Sequence, residues 1–271
     1  MNGIENATPG IIFILLLVCS FIVYYMYRAR QMKEGIYVRR IPGVDAIDEA
    51  VGRAAELGRP ISFSTGLTGL GPVLYACLGV LYHVAKKAAQ YKSKLLIPQI
   101  SPEAMAIVED TTRDAYRDAG RLSSFDQQNI MYLSDEQLAF ASGYMGMLHR
   151  EKVASTFLVG RFAGEALVLA EAGQQVGAMQ IAGCVSPEQI PFFVCTCDYT
   201  LIGEELFAAS AYLSRETVQL GSLAGQDRAK LFFILTIVVG VGIATYNSFF
   251  PESPLSNLDK LLFEANWILD I

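Results

Sequence analysis

Histidine and tryptophan are nearly missing from this chain, which has 2 His and 1 Trp in 271 residues. The two histidines, His83 and His149, stand alone in sequence, which leaves little for a His-based triad or a zinc site. There is no Gly-x-Ser-x-Gly elbow, no Walker loop and no Gly-x-Gly-x-x-Gly. A basic excess is lacking too. The chain carries 21 Lys+Arg against 27 Asp+Glu, a formal net charge of −6, so no nucleic-acid partner is expected. Five cysteines sit at irregular spacing, at 19, 77, 184, 195 and 197. An odd count inside apolar runs is not a disulfide framework. The pair Cys195 and Cys197, placed on a strand, would share one face, but no second pair of soft ligands accompanies it and no metal site is assigned.

What is abundant is apolar sequence. Hydrophobic residues make up 52 % and charged residues 18 %, and mean hydropathy is +0.35. The excess sits in two blocks near the ends. Residues 11–27 (IIFILLLVCSFIVYYMY) carry no charge, and roughly 20 apolar helical residues cross a bilayer core. Tyr24, Tyr25 and Tyr27 suit the headgroup boundary. Arg28, Arg30, Lys33, Arg39 and Arg40 follow the run rather than precede it, which favours a retained anchor over a cleaved signal. The second block, residues 231–246 (LFFILTIVVGVGIATY), has Arg228 and Lys230 before it and mostly acids after it. Both positive flanks face the middle of the chain.

The expected layout follows: a short outer terminus over 1–10, a span over 11–27, a basic linker over 28–39, a cytoplasmic domain over 40–228, a second span over 229–248 and an outer amphipathic tail over 249–271. Residues 28–229 then lie in the cytoplasm of an integral membrane protein, with both termini outside. The lipid bilayer is one partner, and Gly240 and Gly242, spaced two apart rather than as Gly-x-x-x-Gly, would allow close helix approach between subunits.

The middle alternates short apolar runs with helical stretches. Helices are expected over 45–57, 72–91, 102–119, 134–150, 161–172 and 199–213. Strands are expected over 60–64, 94–98, 129–133, 153–159, 177–181 and 190–196. Strands that are apolar throughout indicate a parallel sheet covered on both faces. The fold class is therefore α/β, a Rossmann-like doubly wound and mostly parallel sheet, flanked by an N-terminal and a C-terminal transmembrane helix.

Three groups of residues are candidates for chemistry. The loop with Gly66, Thr68, Gly69 and Gly71 joins the first strand to a helix, where backbone N–H groups and the helix dipole attract an anion. It has no lysine for a phosphate, and a plain tight turn explains its glycines as well. Gly160 and Arg161 occupy the equivalent end of a later strand, with Glu165 four residues on as a structural partner for Arg161. Asp198, Glu204 and Glu205 form an acidic group after the strand expected over 190–196. It is suited to acid/base work or to a cation, or simply to the helix dipole.

Residues 40–53 (RIPGVDAIDEAVGR), 180–183 (QIAG) and 197–206 (CDYTLIGEEL) resemble a prokaryotic family of uncharacterised domains, DUF6754. The resemblance covers most of residues 40–230. It implies a recurrent membrane-tethered α/β domain and brings no catalytic residue, no cofactor and no activity. Three functions stand open: a homo-oligomeric scaffold on the membrane face, a small-molecule or nucleotide sensor using the glycine-rich loop, and a hydrolase using the acids near Asp198. Whether the chain is an enzyme is left open.

Overall fold

In a computed structural model of the chain, residues 9–31, 42–214 and 217–249 are described. The outer N-terminus, Lys33, Arg39, Arg40 and the amphipathic tail lie outside the described residues. The chain divides into two compact units, residues 38–215 and the two terminal segments together.

The central unit is an α/β fold. Its helices are α2 (Pro42–Leu57), α3 (Pro72–Tyr91), α4 (Pro102–Asp118), α5 (Gln137–Glu151), α6 (Glu165–Gln175), α7 (Ile190–Thr196) and α8 (Glu205–Ser214). Its strands are β1 (Ile61–Gly66), β2 (Leu95–Gln99), β3 (Ile130–Tyr132), β4 (Ser155–Arg161), β5 (Met179–Cys184) and β6 (Tyr199–Ile202), all paired parallel in the order β3-β2-β1-β4-β5-β6.

Each of β1, β2 and β5 is buried along its whole length, which is why these runs show no polar alternation. Burial divides by face. Ile61, Phe63, Leu95 and Ile97 join residues of α2, α3, α4 and α8 in one core. Leu96, Leu158 and Ala182 join residues of α5, α6 and α7 in the other. The chain winds outward from β1 in one direction and from β4 in the other, so right-handed crossovers place the two sets of helices on opposite faces.

Local signals set most boundaries. Proline opens α3 and α4, and Ser101 accepts a hydrogen bond from the Ala104 N–H at 3.3 Å as the α4 cap. Ser134 does not cap α5 as expected. Its hydroxyl bonds the Glu136 N–H at 3.1 Å and the helix begins at Gln137. One segment reverses the expectation. Residues 190–196 are helix α7, not a strand, and residues 199–202 are strand β6, not the start of a helix.

The other unit pairs α1 (Pro9–Gln31) with α9 (Thr217–Phe249). Within α9, Val218–Tyr246 is long and apolar enough to cross a membrane, while Leu15–Ala29 of α1 is a shorter apolar helix. The two helices run antiparallel and meet closely at Gly221 and Gly225. A Cβ on Gly221 would lie 2.6 Å from the Ala29 Cβ, and one on Gly225 would lie 2.9 Å from the Ile22 Cα. The contact between α1 and α9 within the chain is therefore made at a Gly-x-x-x-Gly pair. A Cβ on Gly242 would meet nothing within 4 Å.

Candidate functional site

A doubly wound sheet opens a crevice at the carboxyl ends of the two strands where the winding reverses. Here those strands are β1 and β4. The glycine-rich loop leaves β1 and the Gly160–Arg161 segment ends β4, so two candidate groups widely separated in sequence meet at one place.

The meeting is tight. The Leu67 N–H donates to the Arg161 carbonyl at 2.8 Å, and the Arg161 N–H donates to the Thr68 hydroxyl oxygen at 2.7 Å. That hydroxyl donates in turn to the Thr65 carbonyl. Pairing between β1 and β4 shifts register between Ser64 and Gly66, a bulge at the rim. Gly66 has φ +56° and Gly160 has φ +150°. A Cβ on Gly66 would lie 2.5 Å from the Arg161 carbonyl oxygen, and one on Gly160 would lie 2.3 Å from that of Thr65. These two glycines, with Thr68, are what lets the loops cross.

Gly69 and Gly71 differ. A Cβ at either would meet nothing within 4 Å, so this stretch of loop stands open. It leads into α3, whose start has no side-chain cap. The first turn of a 20-residue helix therefore offers backbone N–H groups to an anion. The Arg161 side chain beside this loop is exposed and pairs with no acid among the described residues. Its expected partner Glu165 is buried and held elsewhere. One oxygen accepts from the Ala163 N–H at 3.1 Å and the other from the Gln137 amide at 2.5 Å.

Beneath the loop, Cys77 of α3 is buried, and burial pushes its thiol up to about 12, against hydrogen bonds to backbone and to Thr68. Its side chain packs in the core on that face of the sheet, where burial disfavours the thiolate. Gln99, at the last position of β2, is 1 % exposed. Its Oε1 accepts from the Thr65 hydroxyl at 2.9 Å, and its Nε2 has no partner among the described residues. The strand expected over 94–98 ends one residue short of Gln99, the last residue of β2. A polar residue ending an apolar run just before a βα turn is the signal that marks it.

The acidic group does not assemble. Strand β6 lies between Asp198 and Glu205 and separates their backbones by about 13 Å at strand rise. Asp198 precedes β6 rather than following the last strand. Its carboxylate accepts from the Gln180 N–H at 2.7 Å and its own N–H donates to the Gln180 carbonyl at 3.0 Å, which docks the edge strand. Glu205 accepts from the Ile202 N–H at 3.1 Å at the start of α8, and Glu204 lies in the turn before it. The shared strand face for Cys195 and Cys197 is also lost. Successive helical residues turn by about 100°, so positions two apart point away from each other. Burial pushes the Cys197 thiol up to about 12.

Fold and loops together define a parallel α/β domain with a switch-point crevice, on a chain that also carries, among the described residues, one helix long and apolar enough to cross a membrane and a shorter apolar one. The chain belongs to the family described as a domain of unknown function, DUF6754, whose model matches residues 4–254 and so takes in both α1 and α9. No curated protein and no solved structure matches it.

Proposed function

We propose that this protein is a membrane-anchored module that binds a small anionic ligand at the β1/β4 crevice. One observation carries the reading: two loops distant in sequence are locked together at the switch point, beside an open glycine stretch and the uncapped start of α3. Binding would place the anion on the first N–H groups of α3, with the exposed Arg161 at the end of β4 as the cation offered by the partner loop.

Anchoring by two spans is part of the same reading. The length of α9, the close seat of α1 on Gly221 and Gly225, and the reach of the family match across both helices support it. The cationic borders of both segments then orient the α/β domain toward the cytoplasm. Isothermal titration of the full chain in detergent with inorganic phosphate tests the binding reading. Saturable binding that Arg161→Ala weakens is the expected result, and a flat titration removes the reading.

A homo-oligomeric scaffold is the second reading. It is favoured by exposed Leu138, Leu167, Phe192 and Val194 on the consecutive helices α5, α6 and α7, an excess of apolar surface that a partner copy would cover. A monomer by light scattering in detergent would end it.

A further inference from the structure

Resting on the binding reading above, we propose that the ligand is a phosphorylated polyol, a sugar phosphate or the ribose phosphate of a nucleotide. Its phosphate lies on the amino end of α3 and one of its hydroxyls on the Gln99 amide.

The sheet contains two buried glutamines, and they are treated differently. Gln180 of β5 is fully engaged. Its Nε2 donates to the Ala170 carbonyl at 2.8 Å and to the Thr196 carbonyl at 3.3 Å, and its Oε1 accepts from Thr156 at 3.4 Å. Gln99 of β2 has one bond, from Thr65, and an amide nitrogen with no partner among the described residues. A buried donor left unpaired is costly and rare, so it calls for a partner the polypeptide does not supply.

Direction follows from the pleat. Leu95 and Ile97 pack in the core shared with α3 and α4, while Leu96 packs in the other. Alternation puts Gln99 on the α3 side of the sheet with Thr65, whose strand turns directly into the glycine loop. The amide thus lies at the carboxyl edge between β1 and β2, facing the layer in which the uncapped α3 starts. The neighbouring α4 is closed by Ser101, which leaves α3 as the anion end.

The amide also selects the ligand. Turning it over exchanges which atom meets Thr65 and leaves the other unpaired. A hydroxyl donates and accepts, so it satisfies either orientation, whereas a bare phosphate oxygen satisfies only one. A ligand that carries both an anion and a hydroxyl has a group for each feature.

Full-length protein in detergent would be titrated calorimetrically with inorganic phosphate, ribose 5-phosphate and AMP. Ribose 5-phosphate should bind about tenfold tighter than phosphate. Gln99→Met should remove roughly three- to tenfold of that preference and leave the phosphate constant in place. AMP tighter than ribose 5-phosphate assigns a nucleotide, and AMP weaker assigns a sugar phosphate; both sustain the proposal. Equal binding of phosphate and ribose 5-phosphate, or a preference untouched by Gln99→Met, overturns it while the anion reading stands, and the amide is then satisfied by a buried water. No binding by any of the three removes both. If Gln99→Met fails to fold, Thr65→Val/Gln99→Met removes both ends of the buried hydrogen bond and takes its place.

Discussion

The two ends of the sheet spend their polar groups differently. At the amino end most bonds close on themselves, the exception being the buried Ser93 hydroxyl before β2, which has no partner among the described residues. Arg59, just before β1, donates to the carbonyls of Lys152, Val153 and Val176, tying down the chain ends that leave α5 and α6. Ser155 donates to the Ala50 carbonyl at 2.7 Å, Lys94 pairs with Glu151 at 2.9 Å, and Asp198 seats β6 against Gln180. At the carboxyl end the loops from β1 and β4 lock each other, yet beyond that lock stand an open glycine stretch, an exposed arginine and a half-bonded buried amide. The side-chain clamps between strands and helix ends gather at one end, while the open loop, the exposed arginine and the half-bonded amide gather at the other, the division expected where ligands bind outside the carboxyl ends of parallel strands.

The largest expected effect lies within the carboxyl end itself. Gly160→Ala sets a Cβ against backbone at a φ that side chains rarely adopt and should cost about 3 kcal/mol or more. Gly69→Ala, with open space around it, should stay within about 0.5 kcal/mol. Thermal unfolding of both variants in detergent decides it. Equal losses would mean the whole loop is structural and would erase the contrast between locked and open glycines.

Next comes the amino-end clamp. Arg59→Ala removes three charge-assisted bonds to carbonyls and should cost about 2–3 kcal/mol, read as a lowered Tm. An unchanged Tm would show that the bonds are matched by water in the variant and that the amino end is no sturdier than the other.

The glutamine pair tests the comparison most directly. Gln180→Met leaves the Ala170 and Thr196 carbonyls without their donor and should cost about 1–3 kcal/mol. Gln99→Met removes an unpaired donor along with one accepted bond, so its net cost without ligand should fall below about 1 kcal/mol. Equal losses would mean that Gln99 is as fully engaged as Gln180.

Much of this division is legible in the sequence. The apolar runs at 60–64, 94–98 and 153–159 are strands because burial on both faces leaves no room for alternation, and both glycine loops are visible as breaks after them. That they touch is not legible, because strand order is a property of packing between distant segments. The error over 190–202 has a plain cause. Seven residues, IPFFVCT, are too few to separate a helical period from a buried strand. Pro191 in the first turn and the Thr196 hydroxyl donating to the Phe192 carbonyl at 2.7 Å suit the helix. The true strand, YTLI, is an edge with only Leu201 buried, so it lacks the apolar signature that marks the central strands.

The smallest expected effect concerns the helix layer beside the amino end, where α4 finishes. Asp118, its last residue, accepts a hydrogen bond from the Tyr82 hydroxyl of α3. That bond, with burial and the charges of Asp118 and Asp114, raises the Tyr82 hydroxyl from 10.0 to about 12. A folded-state value above the unfolded one means the protonated hydroxyl stabilises the fold. The contribution is whole below pH 10 and is lost as pH rises through about 12. The pair is solvent-exposed, so the contribution at neutral pH is at most about 1 kcal/mol. Tyr82→Phe should therefore lower Tm slightly at pH 8, and the gap to the parent protein should narrow by pH 11. A gap that stays constant with pH would assign the effect to packing of the ring. The amino-end layer would then hold one hydrogen bond that contributes nothing, and the contrast between the two ends would rest on Arg59 and Gln180.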